Sequence, residues 1–437
     1  MLFLTPAGGR GLLRHLGLLA GMLLACGSAQ AADPLTLDEA WRLAESANPA
    51  LRTARAGRDA AEGRLRDASG LLYNNPQLSL DLTRRSVPQA GLPDDRFNEQ
   101  AFGISQTFEI AGQAGHRREA ASRDLAAVMA NIDEVRQQVR AEVEQRFYRV
   151  LVLQRRIETE REALTAIDAA ATAVRRRVAV GEDSRLDGNL ATVEAERGRN
   201  QLAVLGEQLL QARAELAATL QLPDTALPEA SGELRPALPA SNLDALLAAA
   251  RERPLQRALE QREQASRKRL SLERAAVYPD ITVGLGAGRE GPDGAREQFT
   301  RLSLFVPLPL FRRNAAGIGQ AMSELTQAEI ERKSVERDVA AQVRVQWSHL
   351  ESLRARVQRL DDSVMPALDE NRRLSTTAYR AGEIGLLQLL LVNRQLLDAR
   401  RDHLDAIGEL IETRIALERS AGWPVARTAD ISPEKKP

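Results

Sequence analysis

Leu125, Val128, Ile132, Val135 and Val139 step along the chain by 3, 4, 3, 4, and Leu164, Ile167, Ala171, Val174 and Val178 resume the same step. Sustained spacing of this kind with charged flanks predicts a coiled-coil seam. It predicts one helix over about residues 115–180. Val339, Val343, Val357, Leu360, Val364 and Leu368 carry a similar series through a second helix over about 315–380. Some 65 residues at about 1.5 Å rise make a rod of about 100 Å. Rods of that length exclude an ordinary compact domain. The 437-residue chain agrees, because only 3% of it is aromatic, too little for a large core. Its apolar residues suit narrow seams between helices.

Both rods end in a charged, glycine-centred break, `RRRVAVGEDSRLDGN` around Gly181 and `AYRAGEIGLLQLLLVN` around Gly382. Two breaks of one kind suggest a duplicated unit. `NPALRTARAGRDAAEGRLRDASGLLYNNPQLSLDL` and `RPLQRALEQREQASRKRLSLERAAVYPDITVGLGA` open alike on X-Pro, and Pro49 to Pro254, Pro76 to Pro279 and Gly181 to Gly382 lie at nearly constant offsets. The fold class expected is mainly α with a small β part. Two tandem repeats, 32–223 and 242–424, are joined by a proline-rich linker at 224–241.

Each repeat is expected to begin with one helix of about 35 residues, capped at Thr36/Asp38 or at Ser241/Asn242 and ended by Pro76 or Pro279. Two alternating strands follow: `LSLDL` and `AFGISQTF` in the first repeat, `ITVGLGA` and `RLSLFV` in the second. `SVPQAGLPDD` and `GREGPDGA` are expected as the loops between them. The rod comes next, then the glycine break, then a returning helix of about 35 residues. All four strands are half apolar and half polar or glycine, as a wall between lipid and water requires. Four strands cannot close a barrel, and open edges are not tolerated in lipid. A spanning chain must therefore oligomerise, and three copies would supply twelve strands. The alternative on the strands alone is a small soluble β-layer capping a coiled coil.

Residues 1–31 read as an export signal: Arg10 and Arg14, the apolar run `LGLLAGMLLA`, then Ala29-Gln30-Ala31 as a cleavage site. `LLAC` offers a second possibility, a lipoprotein signal ending before Cys26, with Cys26 lipidated. Cys26 is the one cysteine, so the rest of the chain has neither a disulfide nor a thiol ligand. Residues 425–437 read as a disordered tail. Sixty basic residues cancel sixty acidic ones, and no field invites nucleic acid.

The repeat, the strand pairs and the rods together resemble the outer-membrane efflux proteins of the TolC-like type. `NPALRTARAGRDAAEGRLRDASGLLYNNPQLSLDL` and `QTFEIAGQAGHRREAA` are most similar to the heavy-metal branch, the outer components of cobalt-zinc-cadmium exporters. Gly112-Gln113-Ala114-Gly115-His116-Arg117 is a loosened form of that branch's glycine-basic motif. The resemblance implies a homotrimer in outer-membrane lipid, with a twelve-strand barrel continuing into a twelve-helix periplasmic tunnel. It implies two partners, a periplasmic adaptor and an inner-membrane resistance-nodulation-division pump. Arg177, Gly181 and Ser184 in the first break, with Tyr379 and Gly382 in the second, become adaptor-docking turns. Six residues past Gly181, Asp187 falls where the family often narrows the entrance with an acidic ring. The second repeat has Gly385 and Gln388 at the equivalent steps, so three copies would form a ring of three charges. Asp187 is equally an ordinary first-turn aspartate favoured by the helix dipole, and Asp183 and Ser184 are N-cap candidates.

No enzyme chemistry is legible. His116, His349 and His403 are scattered, with no H-x-x-x-H, C-x-x-C or nucleophile elbow. `GLGAGREG` follows a strand and meets no helix, so it reads as a barrel strand and its turn and not as a nucleotide loop. No cofactor and no resident metal are expected. A passive export duct and a non-conducting periplasmic tether both fit the residues. For a duct the cargo could be divalent metal ions or organic toxicants.

Overall fold

A computed structural model describes residues 34–181, 184–223, 225–234 and 241–422. The signal segment, Cys26, Asp183 and the tail lie outside the described residues. The elements run α1 (Leu37–Ala47), α2 (Pro49–Ala68), β1 (Gln77–Gln89), β2 (Leu92–Phe108), α3 (Gln113–Ala179), α4 (Arg185–Leu220), α5 (Leu243–Arg251), α6 (Pro254–Ala275), β3 (Ile281–Glu290), β4 (Glu297–Phe305), α7 (Ala315–Arg359), a π-helical turn (Leu360–Val364), α8 (Met365–Arg380) and α9 (Leu386–Ala421). The first half, α1 to α4, is matched in order by the second, α5 to α9.

Four expectations need correction. The opening helix of each repeat is broken in two, because Pro49 and Pro254 lack the N–H that a continuous helix would use and instead occupy the first helical turn. Asn48 makes the first break rigid: its Oδ1 accepts from the N–H groups of Ala50 and Leu51, and its Nδ2 donates to the Thr219 carbonyl at 3.3 Å. At the second break buried Arg253 pairs with Glu134 of α3, whose other oxygen accepts the Leu255 N–H at 3.2 Å. Pro76 and Pro279 do not end the helices, which stop earlier at Ala68 and Ala275. `SVPQAGLPDD` is mostly strand: β1 and β2 stay paired from Gln77↔Ser105 to Gln89↔Leu92, with a bulge between Val87 and Gln89. The turn is tight, and Gly91 takes its positive φ of 79°.

The rod at 315–380 is not continuous. It passes through the π-turn, where the Met365 N–H bonds back to the Leu360 carbonyl. Pro366 is the physical reason, since its ring clashes with the carbonyl four residues earlier and it has no N–H to offer. The turn also shifts the phase of the seam. Val339 and Val343 are buried, whereas Val364 is exposed. In α3, by contrast, the helix is unbroken over 67 residues, and Ile132 and Val139 of one run and Ala171 and Val174 of the other are all buried.

The core is a set of seams and not one mass. Val139, Val143, Phe147 and Leu151 of α3 pack with Ala40 and Ala44 of α1 and Leu216 and Leu220 of α4. Leu246, Val343, Leu350 and Leu417 do the same for α5, α7 and α9. The halves are joined where Ala141 of α3 meets Ile407, Ile411 and Ile415 of α9. Beside that joint Arg414 is fully buried, donating to Glu418 at 2.8 Å and paired with Glu144 across the seam.

Candidate functional site

The four strands form one antiparallel sheet in the order β1-β2-β3-β4, and β2 and β3 come from different halves. Register turns the alternation of each strand into two continuous faces. Leu78, Ile104, Leu285 and Leu302 stand in one row, and Gln106, Val283 and Leu304 in another. Leu78, Leu80, Leu302 and Leu304 are each more than half exposed. The other face carries Ser79, Gly103, Gly286 and Arg301 in one row and Ser105, Gly284 and Ser303 in the next. An exposed apolar face backed by a polar one is the arrangement of a membrane barrel wall. Glycine on this face lets neighbouring groups lie close. A Cβ at Gly288 would meet the Phe299 ring at 2.6 Å and the Gln100 carbonyl oxygen at 2.7 Å.

Where sheet meets helices, the glycine-basic motif makes a neck. Gly112 caps α3 with a φ of 81°. Buried Gln113 donates to Asp280 at 3.3 Å, and Arg117 forks onto Glu109 with its guanidinium 3.5 Å from the Tyr73 ring centre. The hydrogen bonds to Glu109 raise the Arg117 pKa against the opposing effect of burial. Burial, and then the Glu109 charge, raise the Asp280 pKa while Arg117 pulls the other way. A raised carboxyl pKa means the folded chain holds that proton more tightly than the unfolded one. The stabilisation is complete below the ordinary carboxylate range and is lost as pH rises through the raised value. Asp280→Asn keeps the acceptor for Gln113 and removes the charge. It is expected to raise the thermal unfolding temperature slightly at pH 7 and to leave it unchanged at about pH 3.5. Melting curves at the two pH values check this.

At the far end the long helices reverse. Gly181 and Gly382 take φ of 83° and 76°. The second reversal is a complete Schellman turn, with Gly382 N–H to Tyr379 at 3.1 Å and Glu383 N–H to Ala378 at 2.9 Å. In the first, Gly181 N–H reaches Val178 at 3.1 Å. Ser184 caps α4: its Oγ accepts from the Asp187 N–H at 3.2 Å and donates to the Asp187 carboxylate at 2.6 Å. The α9 cap is Gly385, with no side chain to match. Tyr379 is half-buried, packing with Val178 and Leu390 over buried Ala171, Val174, Ala191 and Leu386. Arg177, Gly181, Ser184, Asp187, Tyr379 and Gly382 therefore share one end of the molecule. A cavity of about 390 Å³ lies between the two hairpins, lined by Leu164, Ile167, Leu190 and Leu387 with Arg197 and Arg401.

The sequence did not point to Glu109, Asp280 or Tyr73, since only the β2–β3 pairing brings residues 109 and 280 together. Among the described residues no group of three metal-ligating side chains is found, and no helix is long and apolar enough to cross a membrane.

Known proteins fit this geometry. The cobalt-zinc-cadmium resistance protein CzcC of Cupriavidus metallidurans is 29% identical over 408 residues, covering 90% of this chain and 91% of that protein. The nickel-cobalt-cadmium resistance protein NccC of Alcaligenes xylosoxydans xylosoxydans is 26% identical over 77% of this chain and 72% of its own length. Crystal structures of CusC superpose with a TM-score of 0.73 at 18% identity, covering 88% of this chain and 92% of that one. The outer membrane protein VceC of Vibrio cholerae gives the same TM-score and identity. The outer membrane efflux protein family matches residues 41–220 and 246–423, the body of both repeats. On that match, and on a barrel-type wall continuous with paired helical rods, the chain belongs to the outer membrane efflux protein family, the non-enzymatic export channels that extend from the outer membrane into the periplasm.

Proposed function

We propose that this chain is the outer-membrane duct of a tripartite pump that exports divalent heavy-metal cations of the cobalt, zinc and cadmium type, and that it works as a homotrimer. The observation that carries the cargo is the likeness to a cobalt-zinc-cadmium resistance protein over about nine-tenths of both chains. The sheet supports the trimer: β1 and β4 have free edges, and three copies close twelve strands without leaving an edge in lipid. Metal ions are cargo here, in keeping with a polar, small-residue face built to let solutes pass. Energy and selection belong to the inner-membrane pump. Residues 1–31 serve as the export signal, with Cys26 as the alternative attachment point to lipid.

In this reading the hairpin ends dock the periplasmic adaptor through Arg177, Gly181, Ser184, Tyr379 and Gly382. The three Asp187 carboxylates ring the entrance. The cap geometry is compatible with that second role, because Asp187→Asn leaves the Ser184 bond to the backbone intact. Deletion of the gene is expected to sensitise cells to graded zinc, cobalt and cadmium and to leave hydrophobic drugs as tolerated as before. Drug sensitivity alone would refute the metal cargo and keep the duct. Asp187→Asn is expected to reduce cation over anion selectivity in planar bilayers, read as a smaller reversal potential.

A further inference from the structure

The connectors between sheet and helices differ in length between the two repeats. Inside the protomer, the connector after β2 is 109–112 and the connector before β3 is 276–280. They meet across the β2–β3 pairing, with Gln113 bonded to Asp280. The equivalents at the free edges are longer: 69–76 before β1 and 306–314 after β4. The extra residues are apolar and uncovered. Leu71 is 98% exposed and Phe311 96%, with Leu72, Leu308 and Leu310 exposed around them. The inner connectors also expose Ile110 and Tyr278, at 56% and 63%, but only the outer flanks leave large apolar side chains almost wholly uncovered, and a cluster of that kind marks a contact surface.

Topology fixes what can cover these flanks. Gln77 opens β1 opposite Ser105, and Phe305 closes β4 opposite Thr282. The chain therefore enters β1 and leaves β4 at the same level of the sheet. If β4 of one copy pairs antiparallel with β1 of the next, 306–311 is laid beside 71–76 of that copy, as 109–112 is laid beside 276–280 within one. On the threefold reading above, we infer that Leu71 and Leu72 of one copy and Leu308, Leu310 and Phe311 of the next form an apolar clasp at the barrel rim, the junction between copies that corresponds to the polar neck within a copy. The occupant of the exposed flank is a second copy of this chain.

Cysteine pairing tests the clasp. The double variant Leu71→Cys/Phe311→Cys, in outer membranes treated with a short thiol cross-linker, is expected to give covalent trimers on denaturing gels. Either single variant is expected to give none. Mass photometry of the detergent-extracted protein separates the two readings. A trimeric mass for a double variant that yields no covalent trimer overturns the clasp and leaves the trimer, whereas a monomeric mass overturns both. The single variant Phe311→Cys adds a labelling test. If its thiol is shielded from a water-soluble maleimide in membranes but reacts once lipid is replaced by detergent, while the trimer persists, lipid covers the flank and the clasp is wrong. Leu308→Ala/Phe311→Ala, milder than the cysteines, is expected to lower the temperature at which the trimer dissociates by on the order of 10 °C. An unchanged dissociation temperature also overturns the proposal.

Discussion

Arg414→Met is expected to destabilise the protein by about 3–5 kcal/mol, the usual cost of removing one partner from a buried ion pair. Arg414 has no exposure at all, and its two carboxylate partners, Glu144 and Glu418, are only 3% and 7% exposed. Burial alone would lower the Arg414 pKa, but the two facing carboxylates outweigh it and the pKa is raised. Without the guanidinium, two carboxylates face each other in an apolar seam between Ile411, Ile415 and Ala141. The loss should appear as a lower thermal unfolding temperature in detergent and as less protein in cells. Arg414→Met combined with Glu144→Met and Glu418→Leu should recover most of it, because an apolar trio of similar volume packs where the charges were. A triple variant as unstable as the single one would mean that the seam depends on packing shape and not on charge balance.

The second large effect concerns the wall. Leu302→Lys puts a charge in the middle of the apolar face, in the row with Leu78, Ile104 and Leu285. On a lipid-facing strand this is expected to cost about 2–4 kcal/mol near the bilayer centre. Ser303→Lys, one residue on, points the same charge to the polar face and is expected to assemble normally. Membrane flotation and heat-modifiable gel mobility report assembly, and growth on zinc reports function. The opposite order of severity would invert the assignment of the two faces.

Much of this architecture is visible in the residues, for reasons that can be named. The α3 seam is legible because two 3-4 runs, 125–139 and 164–178, mark its ends, where Ile132, Val139, Ala171 and Val174 are buried. The inner parts of the strands are legible because lipid on one side and water on the other force a period of two. The outer part of the first hairpin is not: Thr83, Arg84, Arg85 and Ser86 pair with Glu99, Asn98, Phe97 and Arg96. Here only Phe97 on one face is buried, and a single apolar residue among charged and polar ones leaves no alternation to read. The broken opening helices were marked by Pro49 and Pro254 at a first-turn position, a signal that the surrounding arginine-rich helical pattern hides. The neck is a contact at long range, and nothing local marks Glu109 as the neighbour of Asp280. The glycine turns were readable in position, while the packing of Tyr379 follows from the neighbouring hairpin and not from its own segment.

The π-turn at 360–364 has a consequence for how many kinds of seat the assembly offers. The first hairpin descends on an uninterrupted helix and is capped by Ser184 and Asp187. The second descends through a rephased helix, with the His403 ring 2.9 Å from Asp361 of the π-turn, and is capped by bare Gly385. Three copies would then present six hairpins as two alternating sets of three. A partner that contributed six identical copies would occupy two non-equivalent environments, so its binding should resolve into two classes of equal number and unequal affinity. In such a trimer, duplication followed by divergence would make the ring threefold and quasi-sixfold at once.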